Sequence, residues 1–121
     1  MSAIDIWAYR TTAGYAPGAD LTGYHVEATD GHIGRIDKHS GAVGAAFLVV
    51  DTGPWIFGNR VLLPAGTVLR VDEEDKKVYV DRSKHEIKAG PEFDPGAHDV
   101  DTGYREKYGD YYARFYGGPI V

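Results

Sequence analysis

Between Leu21 and Arg82 a turn signal recurs about every 8 to 12 residues, which leaves room for short strands and none for a long helix. Val26 and Ala28 alternate with His25, Glu27 and Thr29, and Asp30-Gly31 follows as a favoured tight-turn pair. Ile33 and Ile36 lie in the returning segment, with Gly34 placed for a bulge or a crowded position. After the turn region His39–Gly44, the run Ala45–Val50 is apolar on both faces, as in a strand crossing the middle of a core. Asp51-Thr52-Gly53-Pro54 closes that run. Trp55–Phe57 and Val61–Leu63 then flank a hairpin tip at Gly58-Asn59-Arg60. Val68–Val71, an acidic turn at Asp72–Lys76 and Val78–Val80 complete the series. The expected fold is mainly β: a small antiparallel barrel of about five to six short strands, a closed shape that removes exposed edges.

One tetrapeptide interrupts the pattern. Leu63-Pro64-Ala65-Gly66 stands between two strand-like runs. Proline has no N–H for a ladder and suits a strand end, and glycine gives the backbone freedom to change direction. The reading is a corner between two strands.

The last third changes period. Ser83 and Glu86 form a capping-box pattern ahead of Ile87 and Ala89, and Gly90-Pro91 stops the turn. A polar linker follows, from Pro91 to Asp101. Tyr104, Tyr108, Tyr111, Tyr112 and Phe115 then fall on one face of a helix, which Gly117-Gly118-Pro119 ends. Gly109 opposes that helix by about 1 kcal/mol relative to Ala. The organisation read from the chain is an N-terminal extension over 1–20 that packs on the barrel, the barrel over 21–82, and a helical, Tyr-rich extension over 83–121.

The 121 residues suit one domain, and 43% hydrophobic content supports a core without staples. With no cysteine, disulfides, thiolate zinc sites and cysteine nucleophiles are excluded. The N-terminus lacks a signal-peptide pattern, and the longest apolar run, Val43–Val50, is too short to span a bilayer. A soluble, cytoplasmic protein without membrane insertion is the expectation. A formal net charge of -5 opposes nonspecific nucleic-acid binding.

The segment from Leu21 to Ser83 resembles the PRC-barrel family. The matching residues are Leu21, Gly23, Val26, Asp30-Gly31, Ile33-Gly34, Ile36, the apolar strand ending at Val50, Leu63-Pro64 and Val71-Asp72. That family includes the cytoplasmic domain of the photosynthetic reaction-centre H subunit, the C-terminal domain of a ribosome-maturation factor and many stand-alone bacterial members. The tail, from Ser83 to Pro95 and from Tyr104 to Gly118, is similar to the stand-alone members. The resemblance implies a small barrel used as an interaction or assembly module, with no common catalytic motif to carry over. His39 and Ser40 depart from the more apolar residues of many members.

Three chemical signals compete with that reading. Asp51-Thr52-Gly53 after an apolar strand is how aspartic proteases present a carboxylate, and Asp101-Thr102-Gly103 repeats the triplet. Pro54-Trp55 and Tyr104 replace the small residue that usually follows, and Asp-x-Gly-Pro is an ordinary turn. His25, His32 and His39 recur every seven residues, with His85 and His98 elsewhere, and no pair has the helical spacing of a zinc site. His25 and His32 can face each other across the hairpin. Asp72–Lys77 lacks the glycine and spaced ligands of a calcium loop. No catalytic residue, cofactor or metal ligand is assigned. The expected activity is non-catalytic binding by a self-associating, homodimeric module with an unidentified protein partner and no nucleic acid. Trp7, Tyr9, Tyr104, Tyr108, Tyr111, Tyr112 and Phe115 are the candidate interaction residues. A small-ligand or metal-binding barrel, with His25 or His32 near its mouth, is the alternative; an RNA-linked role stands behind it.

Overall fold

The structure is a computed structural model that describes residues 6–16, 18–40, 46–53, 60–91 and 102–116, with side chains in the last segment described from 106 onward. Six strands form a single mixed sheet: β1 (His25–Ala28), β2 (Gly31–Ser40), β3 (Phe47–Asp51), β4 (Arg60–Pro64), β5 (Val68–Asp72) and β6 (Lys77–Val80). The sheet order is β4-β3-β2-β1-β6-β5. Two helices follow, α1 (Lys84–Lys88) and α2 (Thr102–Ala113), and α2 runs on into a 3-10 turn at Arg114–Tyr116.

All neighbours pair antiparallel except β1 and β6, which are parallel. The expected all-antiparallel arrangement is corrected here, and the corner gives the reason. Hairpin-like reversals join β1 to β2, β2 to β3, β3 to β4 and β5 to β6. The 3-10 turn Ala65–Thr67 between β4 and β5 redirects the chain without reversing it. An even number of reversals leaves β6 running in the same sense as β1.

The same corner forces the sheet to curl. A flat sheet would set β4 and β5 about 24 Å apart, five strand spacings. The chain from Pro64 to Val68 reaches at most about 14 Å. Three register shifts supply curvature, as extra residues in a strand do. They leave Ile33 unmatched between β1 and β2, Asp37 between β2 and β3, and Leu69 between β5 and β6. The first explains why Ile33 and Ile36, three apart, are both buried in one strand. Among the described residues no ladder joins β4 to β5, so the sheet is curled but not closed.

The corner is wholly internal. Residues 64 to 68 are buried, so their polar groups need partners. Ala65 N–H donates to Ala46 O at 3.0 Å and Gly66 N–H to Ile6 O at 2.7 Å. The Thr67 hydroxyl donates to Pro64 O at 2.8 Å, and Thr67 O accepts from Asp81 N–H at 2.9 Å. Three of these four bonds involve segments outside the two strands it joins, so the corner also anchors the N-terminal extension, the entry to β3 and the end of β6.

The core lines the inner face with Val26, Ile33, Ile36, Leu48, Val50, Val61, Leu63, Val68, Val71, Val78 and Val80. Alternation puts Val49 and Leu62 on the outer face, yet both are fully buried. Both faces of β3 and β4 are therefore covered. The cover is the N-terminal segment around Ile6 and Trp7, together with α2, which packs on β4. The glycine that opposed the helix has a role here: a Cβ on Gly109 would lie 3.3 Å from Trp7 Nε1, so its absence lets α2 close on the indole.

The capping box is formed. Glu86 N–H donates to Ser83 Oγ at 3.1 Å and Ser83 N–H to Glu86 Oε1 at 2.8 Å. The first hairpin turns at Thr29-Asp30, one residue earlier than the sequence pair suggests, and Gly31 opens β2. Asp30 is freed to accept from Lys84 N–H at 2.9 Å, so the turn also holds the start of α1. The expected strand at Trp55–Phe57, most of the tip at Gly58–Arg60, the second turn region from 41, and the linker from 92 to 101 lie outside the described residues; Arg60 itself opens β4.

Candidate interaction face

Six strands in register place one ionisable residue each in a single outward row. In sheet order it reads Arg60, Asp51, Arg35, His25, Lys77, Asp72, from the pairs Asp51–Arg60, Arg35–Asp51, His25–Arg35, His25–Lys77 and Asp72–Lys77. A second row lies beside it: Arg70, Tyr79, Glu27 and His32. Opposite charges across strands are worth a few tenths to about 1 kcal/mol per pair, so the rows add modestly to sheet stability. Arg35, His32, Asp51 and Arg70 are exposed, and the others are half-buried. Among the described residues, the outer face of β3 and β4 is covered beyond the rim, and the outward side chains of β1, β2, β5 and β6 stay exposed or half-buried.

Bonds within the face order its side chains. His32 Nδ1 lies 2.6 Å from Glu27 Oε2, and the His25 and His32 rings are 5.2 Å apart, facing each other across the hairpin. The Arg70 guanidinium sits 4.5 Å from the centre of the Tyr79 ring and 3.5 Å from Asp72 Oδ2. Arg60 donates to Asp37 at 3.0 Å, which raises the guanidinium's hold on its proton. Beside the row is a shallow cleft of 330 Å³ lined by His32–Arg35 and Asp51–Gly53. Gly34 is its floor: a Cβ there would stand 2.1 Å from Asp51 O.

The Asp51 carboxylate is placed as a turn residue. It accepts from Gly53 N–H at 3.1 Å and lies 3.9 Å from Arg60. Within the chain its neighbours are thus an amide and a cation. Among the described residues no three His, Asp or Glu side chains are grouped to hold a metal ion. His98 and Asp101 lie outside the described residues, as do the side chains of Thr102 and Tyr104.

The aromatic candidates are gathered on the molecule's own core. Trp7 is buried, and Tyr108 and Tyr112 are 0% exposed. Tyr9, Tyr111 and Phe115 are half-buried against the same cluster. The Tyr108 hydroxyl donates to Pro91 O at 2.8 Å and that of Tyr111 to Glu86 O at 2.5 Å. Asp81 accepts from both Arg10 and Tyr116, while Arg82 lies over Phe115 at 4.6 Å and Tyr116 at 5.1 Å. The end of β6 thus ties the two terminal extensions to each other. Tyr116, Arg82 and Asp81 were not singled out by the sequence, and neither were Arg35, Lys77, Arg70 and Tyr79. Their outward positions in alternating strands were readable, but not the non-local pairing that aligns them.

No protein-family model matches the chain, and no curated protein matches it. Among the described residues no helix is long and apolar enough to cross a membrane.

Proposed function

We propose that the chain is a non-catalytic interaction or assembly module on a small barrel of PRC type, and that it self-associates in the cytoplasm. The curled six-stranded sheet, its shifted registers and the buried Leu-Pro-Ala-Gly corner support the barrel reading. The observation that carries the function is the uneven cover of the sheet. Among the described residues, terminal segments clothe the outer face of β3 and β4, and the outer face of β5, β6, β1 and β2 is left as an ordered two-row surface of charge around Tyr79 and Arg70. Arginine and tyrosine are the residue types that anchor protein interfaces. The adjoining cleft is shallow and its carboxylate is tied to a turn, which favours a surface contact over a buried reaction centre.

Sedimentation velocity over a range of protein concentrations tests the reading. A mass above monomer that falls in the double variant Arg70→Glu, Tyr79→Ala, with an unchanged circular dichroism spectrum, is the expected result. A monomer at every concentration, or an oligomer indifferent to that variant, overturns self-association through this face.

A further inference from the structure

His39 near the end of β2 holds the lead-in to β1 through one ring nitrogen that two groups contest. Leu21 N–H points at His39 Nε2 at 3.1 Å, and Asp20 Oδ1 lies 3.3 Å from the same atom. An imidazole nitrogen either carries a lone pair and accepts, or carries a hydrogen and donates. It cannot serve both neighbours at once. When Nε2 accepts from Leu21, the neutral ring carries its hydrogen on Nδ1, which is buried and has no partner among the described residues.

We infer that His39 is an acid-sensitive latch: its neutral ring fastens the Leu21 amide, and its protonated ring lets go of Leu21 and binds the Asp20 carboxylate. The surroundings fit such an exchange. The His39 side chain is 16% exposed and that of Asp20 is 81% exposed, so a largely buried ring meets a solvent-facing carboxylate. Asp20 also accepts from Thr22 N–H at 3.0 Å, and that bond, with the His39 contact, holds its carboxyl below the usual carboxylate range. Asp20 is therefore still an anion when a histidine protonates. Across the ladder β3 presents the apolar Leu48 to His39, and Lys38 pairs with Val49 on the other face. Among the described residues Asp20 is the only ionisable group bonded to the ring.

Releasing Leu21 has a reach beyond one bond. Leu21 is fully buried, and the next residues are laddered to β2 through Gly23 N–H to Ile36 O at 2.8 Å and Ile36 N–H to Tyr24 O at 2.9 Å. Tyr24 leads straight into His25 at the centre of the outward row. Acid thus loosens the segment that delivers β1 to the interaction face, whatever binds there.

The test is nuclear magnetic resonance on the full chain, with pH stepped from 8 to about 5 through the ordinary histidine range. At the alkaline end the His39 ring should show a hydrogen on Nδ1 and none on Nε2. As the pH falls, protection of the Leu21 amide from exchange, corrected for intrinsic rates, should fall about tenfold, the scale of one lost hydrogen bond. His39→Gln puts a fixed acceptor where Nε2 stands, and should keep the Leu21 amide protected across the range. A neutral ring protonated at Nε2 overturns the latch. So does a Leu21 amide indifferent to pH, or the same pH dependence in His39→Gln.

Discussion

Trp7 and Gly109, more than 100 positions apart in the chain, meet where a helix closes on the N-terminal segment: the indole Nε1 is 3.3 Å from the place of a Cβ on residue 109. Gly109→Ala gains about 1 kcal/mol of helix propensity. It also adds a contact tight enough to push the indole by a few tenths of an ångström. The two effects offset, and the melting temperature should stay nearly unchanged. Gly109→Leu cannot be absorbed in this way and should cost about 2 kcal/mol. Thermal denaturation of the two variants separates close packing from simple helix propensity; equal effects would contradict the contact.

Gly34 and Gly53 border the same cleft and answer differently to a methyl group. At Gly34 the Cβ would collide with Asp51 O at 2.1 Å, a backbone atom that cannot step aside. Gly34→Ala should cost about 3 kcal/mol. Gly53 has φ of 67° and nothing within 4 Å of the Cβ position. Gly53→Ala should cost only the left-handed penalty, about 1 kcal/mol. Urea titrations with equal slopes measure both, and the prediction fails if the order is reversed.

Alkaline pH should unfold the chain through its buried phenols. Burial raises the Tyr112 phenol well above its ordinary value of 10.0, and it raises Tyr9 and Tyr116 too. A group whose folded-state value is raised leaves stability intact below the unfolded value. Stability then falls as pH rises past about 10, because only the unfolded chain ionises freely. Tyrosinate absorbance from the buried rings should therefore appear together with loss of the circular dichroism signal. Tyr112→Phe removes a buried hydroxyl that has no partner among the described residues. It should stabilise by about 1 kcal/mol and move the alkaline transition upward.

Truncation after Asp99 removes α2 and exposes Ile6, Trp7 and the outer side of β4. Tyr108 and Tyr112 are both fully buried. Each contributes roughly 2 kcal/mol, and the uncovered partners add a similar loss. The sum approaches the stability of a small domain. The shortened chain should melt far below the full one and bind a hydrophobic dye. An unchanged melting temperature would mean that the helix is not part of the core.

Asp51 should behave as a turn residue in every assay. Asp51→Ala removes the acceptor of Gly53 N–H and a neighbour of Arg60, and should cost about 1 kcal/mol. Peptide cleavage at acid pH that is sensitive to pepstatin and lost in Asp51→Asn would reverse this assignment.

Local chemistry was legible in the chain, and distant pairing was not. Ser83 and Glu86 announce α1 because a capping box is complete within four residues. The spacing of Tyr108 and Tyr112 announces the buried face of α2 because helix geometry is local. Gly34 could be marked as crowded, but the atom that crowds it, Asp51 O, lies on another strand. The parallel pairing of His25 with Lys77 was missed because Leu63–Gly66 can be read in sequence as a corner, but the sense in which the chain leaves that corner is fixed only by pairing with a distant strand. The outward row needs all five strand registers at once, and sequence alternation supplies only each strand's own two faces.

The parallel β1–β6 ladder also sets an order of events during synthesis. Strands β1 to β4 form a meander whose pairings can close as each strand leaves the ribosome. The edge of β1 has no such neighbour until Lys77–Val80 has been made. Until then the nascent chain carries an open strand edge for its whole central portion. On a polysome, the β5–β6 hairpin of a chain further along can insert at that edge before the chain's own hairpin arrives. Slow translation between β4 and β6 should therefore yield exchanged pairs, intertwined through a hairpin that each copy has lent to the other.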